Sequence, residues 1–333
     1  MTTTPPPSEV ALRQDHAADA ALVHLPRALA AVESVMAHET QCEDPRLAAM
    51  AHEVTFAGGK RLRPRVAILA FGACGGREAS LHQDTPYRRV VEAAAAFELI
   101  HTATLVHDDI MDQSDLRRGK PTLHVQYGIG QAIVAGDFLF TRGFGLSGRL
   151  GYRCIQITTE ACTRLAEGQV LEGRLAGGED LPMQEYLKII AKKTAYPIKA
   201  CAMVGAVLAG APEPVVRALG NYGLDLGIAF QIQDDLLDVW GKPEETGKPV
   251  GLDAQNTVMT LPAIFARAAS EGSLPQGRDE RREFLETTGA LARAEAVAQN
   301  YVKRAKAHLA VLPPSEYRRA LEELADGAVA RKV

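Results

Sequence analysis

The chain has 333 residues, of which 47% are hydrophobic and 23% charged, a composition typical of a globular protein with a large core. The formal net charge of -4 gives no electrostatic reason to expect nucleic-acid binding. An aromatic fraction of 5% favours helix over sheet. No Pro/Gly/Ser-rich linker divides the chain, so we expect one all-α domain over residues 17–333 after a disordered polar tail over residues 1–16.

Apolar residues recur at three- and four-residue spacing along most of the chain, with Gly and Pro between the repeats. No segment predicts a strand, and no uninterrupted apolar run of about 18 residues predicts a membrane span. The five cysteines lack metal-ligand spacing, which favours core thiols in a reducing cytoplasm. The predicted helices are 17–38, 45–57, 64–74, 84–113, 130–149, 151–176, 183–210, 213–241, 257–271, 279–311 and 314–330.

The first candidate site along the chain is a basic turn before a predicted helix. A Gly pair at 58–59 is followed by Lys60, Arg61 and Arg63, and Pro64 suits a first helical turn. Free N–H groups at a helix start also favour an anion. A solvated basic turn explains the same residues, so this segment alone predicts little.

Two aspartate clusters of identical spacing, Asp-Asp-x-x-Asp at 108–112 and at 234–238, end two of the predicted helices. Residues at i, i+1 and i+4 lie on one helix face, so each cluster directs three carboxylates into one small volume. Apolar neighbours argue against two solvated acidic helix ends, and buried acids need a partner or a metal. Because carboxylates and phosphate oxygens suit Mg²⁺, the pair predicts a Mg²⁺–diphosphate site between facing helices.

Further basic residues lie where turns can direct them. Arg117 and Arg118 follow the first aspartate cluster, where guanidiniums could bind phosphate oxygens bidentately. Lys192 and Lys193 interrupt an apolar helix, and Lys248 follows the second cluster in a Gly-Lys-Pro loop. Each of these segments alone is a weak signal.

Taken together, these segments resemble the trans-isoprenyl diphosphate synthases, or polyprenyl synthetases, in the right order over roughly residues 50 to 265. The resemblance implies an isoprenoid-synthase-type helical bundle around a central cavity, a cytoplasmic homodimer and a Mg²⁺-dependent prenyl transfer. The matching segments are the basic turn at 58–64, Leu99 to Asp112, Arg117-Arg118-Gly119, Gly136-Asp137, Lys193-Thr194 and Phe230 to Asp238.

The resemblance also implies a role for each matched residue. Isopentenyl diphosphate would be bound by Lys60, Arg63, His101 and Arg118. The allylic diphosphate would be bound by Arg117, Lys193, Thr194, Gln231 and Lys248. About three Mg²⁺ ions would be bound by Asp108, Asp109 and Asp112 and by Asp234, with Asp235 and Asp238 in support. These aspartates, with Arg117 and Lys193, form the predicted catalytic set.

The implied reaction condenses isopentenyl diphosphate head to tail with an allylic diphosphate. Ala103 and Thr104, just before the first cluster, are expected to set the depth of the product tunnel. Short-chain relatives place aromatic residues there, so Ala103 favours a product of twenty carbons or longer, with Ile100 and Phe97 lining the next turns. Helix packing also explains Ala103, and a bulky residue from another helix (Phe138, Phe140 or Phe144) could close the tunnel.

One position departs from the family pattern, because Val258 stands where a phosphate-binding lysine is usual. The missing cation puts the rate or the allylic affinity in question unless another base replaces it.

A farnesyl diphosphate synthase and a non-catalytic subunit of a heteromeric synthase remain as alternatives. A class I terpene cyclase is disfavoured, because Asp238 and Lys242 replace residues of its second metal motif. His107 is expected to be a packing residue.

Overall fold

Helices form nearly all of the regular structure in the computed structural model, which describes residues 24–175, 181–240, 260–269, 274–275 and 277–330. The tail predicted over 1–16 lies outside these residues, and the single domain over 17–333 stays a prediction. The first helices are α1 (His24–Glu39), α2 (Pro45–Thr55), α3 (Leu62–Ala73), α4 (Pro86–Met111), α5 (Leu123–Tyr127), α6 (Ile129–Arg149) and α7 (Tyr152–Leu175). Then come α8 (Met183–Ile190), a π-helical turn (Ala191–Ala195), α9 (Tyr196–Leu208), α10 (Glu213–Trp240), α11 (Leu261–Ala269), α12 (Arg278–Thr287), α13 (Ala290–His308), a 3-10 turn (Leu309–Val311) and α14 (Glu316–Val329).

Helix α4 runs through the core and carries the first aspartate cluster to its end. The Thr85 side chain caps its start by accepting a hydrogen bond from the Arg88 backbone N–H, and Pro86 occupies the first turn. The helix is long and apolar enough to cross a membrane, but 78% of its most apolar stretch is buried inside the protein. It packs most extensively on α6, where a Cβ on Gly143 would lie 2.6 Å from the Ile100 side chain. This close packing fixes the cluster relative to α6.

The helix predicted over 183–210 is observed as a continuous helical segment over 183–208, but it contains a π turn that the periodicity does not predict. Two glycines of neighbouring helices explain how the wide turn fits. A Cβ on Gly168 of α7 would lie 2.8 Å from the backbone N of Lys193, and one on Gly227 of α10 would lie 2.5 Å from Cα of Ala195. The absence of both side chains lets α7 and α10 pack directly against the π turn.

The helix predicted over 279–311 is also divided, into α12, α13 and the short 3-10 turn. Gly289 lies between α12 and α13 with φ of 68°, a left-handed conformation that ends α12. Thr288 assists because its hydroxyl donates to the Phe284 carbonyl in the preceding turn, at 2.8 Å. The periodicity continues on both sides of the break, which is why it predicts one helix.

A small antiparallel hairpin follows α4, so the expectation of no strand is corrected. Strand β1 (Leu116–Arg117) pairs with β2 (Lys120–Pro121), and Arg117 lies opposite Lys120. The turn residues Arg118 and Gly119 have φ of 53° and 74°, as a two-residue hairpin turn requires. The hairpin determines where the two arginines lie relative to the aspartates.

Candidate active site

The first aspartate cluster lies at the C-terminal end of α4, where the helix dipole disfavours negative charge. Asp108 is partly buried, Asp109 is buried, and Asp112 caps the helix in an exposed position. Burial above all raises the pKa of Asp108 to about 6, although Lys193 opposes the rise. Burial therefore makes the ionised Asp108 costly despite the nearby Lys193, which fits a site that a hard cation completes.

Asp109 already has a cationic partner in the hairpin. The Nε atom of Arg117 lies 2.7 and 2.8 Å from the two carboxylate oxygens, and Nη2 lies 2.6 Å from Oδ1. The two side chains are only 20% and 8% exposed, so this is a largely desolvated, bidentate pair. Arg117 is predicted to bind phosphate and Asp109 to bind a metal ion. Each side chain would have to do so in addition to this mutual contact.

In the second cluster, Asp235 is held by protein donors. The Tyr186 hydroxyl donates to Oδ2 at 2.6 Å, and Gln231 Nε2 donates to Oδ1 at 3.0 Å. Burial raises the pKa of Asp235 to about 7, against the opposing hydrogen bonds from Tyr186 and Gln231. Asp234 and Asp238 are half-buried on the same helix. The predicted metal role of Asp235 therefore competes with these two protein contacts.

The π turn connects the two aspartate-bearing helices. Thr194 donates from its hydroxyl to Gln231 Oε1 at 2.9 Å, and Lys193 Nζ donates to Glu172 Oε2 of α7 at 2.5 Å. Burial lowers the pKa of Lys193, but Asp108 and then Glu172 act more strongly together and raise it. Lys193, Thr194 and Gln231, three residues predicted to bind the allylic diphosphate, therefore lie together between the two clusters.

The four residues predicted to bind isopentenyl diphosphate belong to the basic turn, α4 and the hairpin. The Arg118 guanidinium lies against the basic turn, because a Cβ on Gly59 would be 3.0 Å from its Nη2. Burial first, and then the guanidiniums of Arg63 and Arg118, hold the pKa of His101 well below its ordinary value. The imidazole is therefore neutral and adds no charge to the group. Lys60 is exposed on the same turn.

A small cavity of about 20 Å³ adjoins His101, with room for about one water molecule. Phe97 and Ile100, the predicted tunnel residues, line it on the α4 side. The chain-length candidates Ala103 and Thr104 are buried nearby on the same helix, at 0% and 7% exposure.

His107 and the Gly136-Asp137 pair pack α4 on α6. His107 Nε2 lies 3.4 Å from the Ile133 carbonyl oxygen and 3.6 Å from an Asp137 carboxylate oxygen. A Cβ on Gly136 would lie 2.2 Å from the same nitrogen. Phe140 stacks between His107 and Phe144, with centroid distances of 6.1 Å on each side. These contacts suit the packing role expected of His107.

Sequence reasoning missed Glu172 and Tyr186, because an acid or a phenol on a helix carries no signal of its partner. Among the described residues, no group of three or more His, Cys, Asp or Glu side chains forms a ready metal site. Mg²⁺ usually completes its coordination with water and substrate phosphates. Lys248 and Val258 lie outside the described residues.

Comparisons of the sequence and of the fold with known proteins agree on one family. The model of the polyprenyl synthetase family matches residues 44–299. The short chain isoprenyl diphosphate synthase of Methanothermobacter thermautotrophicus is 38% identical over 303 residues, covering 86% of this chain and 90% of that protein. The geranylfarnesyl diphosphate synthase of Natronomonas pharaonis is 38% identical over 83% of this chain and 87% of its own length. The crystal structure of a polyprenyl synthase from Caulobacter crescentus CB15, complexed with calcium and isoprenyl diphosphate, has a TM-score of 0.87 and 36% identity, covering 95% of this chain and 98% of that one.

Proposed function

Because the chain belongs to the polyprenyl synthetase family, we propose that it is a Mg²⁺-dependent trans-prenyltransferase that condenses isopentenyl diphosphate with an allylic diphosphate. The family and the isoprenoid-synthase-type helical fold predicted from the sequence are correct. The observation that best supports the substrate assignment is the π turn, whose Lys193 acts on Asp108 while Thr194 binds Gln231 of the second aspartate helix. The turn thereby places a cationic side chain beside the first aspartate cluster and a hydroxyl against the helix that carries the second.

In the proposed reaction the allylic C–O bond breaks, and negative charge develops on the departing diphosphate. Lys193 and Arg117 donate hydrogen bonds to that group, and the contacts that they make with Glu172 and Asp109 orient both side chains beforehand. The double bond of isopentenyl diphosphate supplies the electron pair for the new C–C bond, and a proton then leaves to the released diphosphate. Bound Mg²⁺ supplies further compensation of the developing charge. The carboxylates proposed to hold about three ions are those of Asp108, Asp109, Asp112, Asp234, Asp235 and Asp238.

The second substrate would be held by the basic group around His101. Lys60, Arg63 and Arg118 would bind the diphosphate of isopentenyl diphosphate, which does not leave in the reaction. A neutral His101 can donate one hydrogen bond without adding a further charge. Because both substrates are held in a fixed orientation in one site, the bimolecular reaction becomes effectively unimolecular.

A direct assay tests this proposal. Purified protein is incubated with Mg²⁺, labelled isopentenyl diphosphate and, separately, dimethylallyl, geranyl or farnesyl diphosphate, and the products are separated by chain length. Elongation of at least one starter is expected. No elongation with any starter would refute the enzymatic proposal and favour the non-catalytic subunit. The expected cytoplasmic location stays a prediction.

We further propose a product of twenty carbons or longer, since Ala103 is small and fully buried on the helix that carries the first cluster. Ala103→Phe is expected to shorten the product, because an aromatic ring would fill the path of the growing chain. Product analysis by mass spectrometry, with thermal melting to verify folding, measures this. A folded variant with unchanged product length would place the end of the tunnel elsewhere, and a wild-type product of fifteen carbons would favour the farnesyl alternative.

A homodimer is proposed from an apolar surface on α5 and α6. Val125, Ile129, Ile133 and Val134 are 50%, 57%, 43% and 50% exposed there, and a second copy would cover them. Light scattering is expected to give twice the chain mass of 35.8 kDa. Ile133→Arg should reduce this to one chain, whereas Val311→Arg, at an exposed apolar position elsewhere, should not. A wild-type monomer would contradict the assignment.

A further inference from the structure

Arg61 of the basic turn has no predicted substrate role, yet its conformation is unusual. It directly precedes α3 with φ of 50° and ψ of 41°, in the left-handed region. Residues other than glycine rarely adopt this strained conformation, and it persists only where surrounding contacts maintain it. The Arg61 side chain is only 11% exposed, so such contacts are available to it.

The Arg61 guanidinium contacts three other helices. Its Nε donates to Glu33 of α1 at 3.3 Å, and Nη1 donates to Glu98 of α4 at 3.2 Å. Its Nη2 donates to the Thr55 carbonyl at the end of α2, at 3.0 Å. A planar group with several fixed donors is suited to such a junction. One side chain thus ties the start of α3 to α1, α2 and α4.

Glu98 links this junction to the residues proposed to bind isopentenyl diphosphate. It is 5% exposed and lies three residues before His101, so the two side chains are neighbours along α4. The second oxygen of Glu98 and the Nε atom of Arg63 are buried without a hydrogen-bond partner in the described part of the chain. Glu98 also acts electrostatically on Arg63. The carboxylate therefore stands beside both arginines of the turn.

We propose that Arg61 is a positioning residue for isopentenyl diphosphate binding, an inference that rests on the proposed function. The contacts of its guanidinium are with protein, and its left-handed backbone determines the directions in which Lys60 and Arg63 leave the turn. Arg65 assists, because its Nε donates to the Lys60 carbonyl at 3.0 Å. Loss of the Arg61 contacts should weaken the binding of isopentenyl diphosphate and leave the binding of the allylic diphosphate near the π turn unchanged.

Arg61→Lys is the first test, with Arg318→Lys as its matched control. Arg318 of α14 also binds a carboxylate and a backbone carbonyl, those of Glu322 at 3.0 Å and Leu312 at 2.9 Å. Steady-state kinetics give KM for each substrate, kcat and the Mg²⁺ requirement. Arg61→Lys is expected to raise KM for isopentenyl diphosphate about tenfold, as the loss of one charged hydrogen bond would, and to leave the allylic KM within about twofold. Arg318→Lys should keep wild-type values throughout.

A second variant separates the guanidinium contacts from the backbone conformation. Arg61→Gly suits the left-handed backbone but removes every side-chain contact. If the contacts position the substrate, Arg61→Gly raises KM for isopentenyl diphosphate at least as much as Arg61→Lys does. A wild-type KM in Arg61→Gly would overturn the proposal.

Folding and the proposed function are checked independently. Circular dichroism and thermal melting show whether each variant is folded, and Glu98→Gln, which is expected to raise the same KM, replaces any variant that is not. An equal rise in both substrate KM values, or no rise in any folded variant, would overturn the role of Arg61. An inactive wild-type protein would instead refute the proposed function, so the two failures are distinguishable.

Discussion

Replacing Asp108 with Asn is expected to stabilise the metal-free protein while removing its proposed activity. Burial raises the pKa of Asp108 to about 6 from an ordinary value of 3.8. Because the unfolded chain loses this proton first, the free energy of unfolding falls as the pH rises from about 4 to about 6. For a fully buried group the loss would be about 3 kcal/mol at neutral pH and above, and about half of that near pH 5. Partial exposure of Asp108 reduces this loss. The free energy of unfolding of Asp108→Asn should therefore exceed that of the wild type by about 1 to 3 kcal/mol at about pH 8 and by almost nothing below about pH 4.

Urea-induced unfolding in EDTA at several pH values measures this difference. The exposed Asp115→Asn serves as the matched control and should show no comparable gain. Adding Mg²⁺ with inorganic pyrophosphate should reverse the order, because ligands that bind the folded wild type stabilise it. If Asp108→Asn gained no more stability at about pH 8 than at about pH 4, the reasoning from burial would be refuted.

Three further predictions concern packing, hydrogen bonding and metal. Gly168→Ala places a Cβ 2.8 Å from the backbone of the π turn and should raise the allylic KM in steady-state kinetics, whereas Gly173→Ala, with open space on the same helix, should not. Equal values for the two would contradict the role of the close approach. Tyr186→Phe removes a 2.6 Å hydrogen bond to buried Asp235 and should cost about 1.5 to 3 kcal/mol in urea unfolding, with a changed Mg²⁺ requirement because the same carboxylate is a proposed metal ligand. Tyr222→Phe, whose hydroxyl binds a carbonyl at 2.7 Å, should cost about 0.5 to 1.5 kcal/mol without changing that requirement; the same requirement in both variants would count against the Asp235 contact. EDTA should stop elongation and added Mg²⁺ restore it; persistent turnover in EDTA would exclude the metal-dependent reaction.

Most helix positions could be predicted because the apolar period is a local property of the chain. The helix predicted over 130–149 is observed at Ile129–Arg149, and that over 151–176 at Tyr152–Leu175. The spacing within each aspartate cluster is equally local, so the acidic groups could be identified before their surroundings were known. Local patterns stop being informative where one element depends on the shape of another.

Apart from one short hairpin, these missed features depend on such long-range contacts. The π turn fits because Gly168 and Gly227, on two different helices, leave space for it. Glu98 and Tyr186 matter through partners that are 37 and 49 residues away along the chain. The hairpin after α4 contains only two paired residues on each side, too few to produce a periodic signal.

The π turn between α8 and α9 also limits how this segment can evolve. A π turn holds one residue more than an α-helical turn, so it changes the rotational phase of the following helix by roughly 100°. Tyr186 can therefore face Asp235 while Ile198, beyond the turn, faces the core. A single-residue deletion within Ala191–Ala195 would bring the two helices into one phase and rotate one of these faces away from its neighbours. A substitution here keeps the phase of both helices, whereas a change in the number of residues in the segment would move the site.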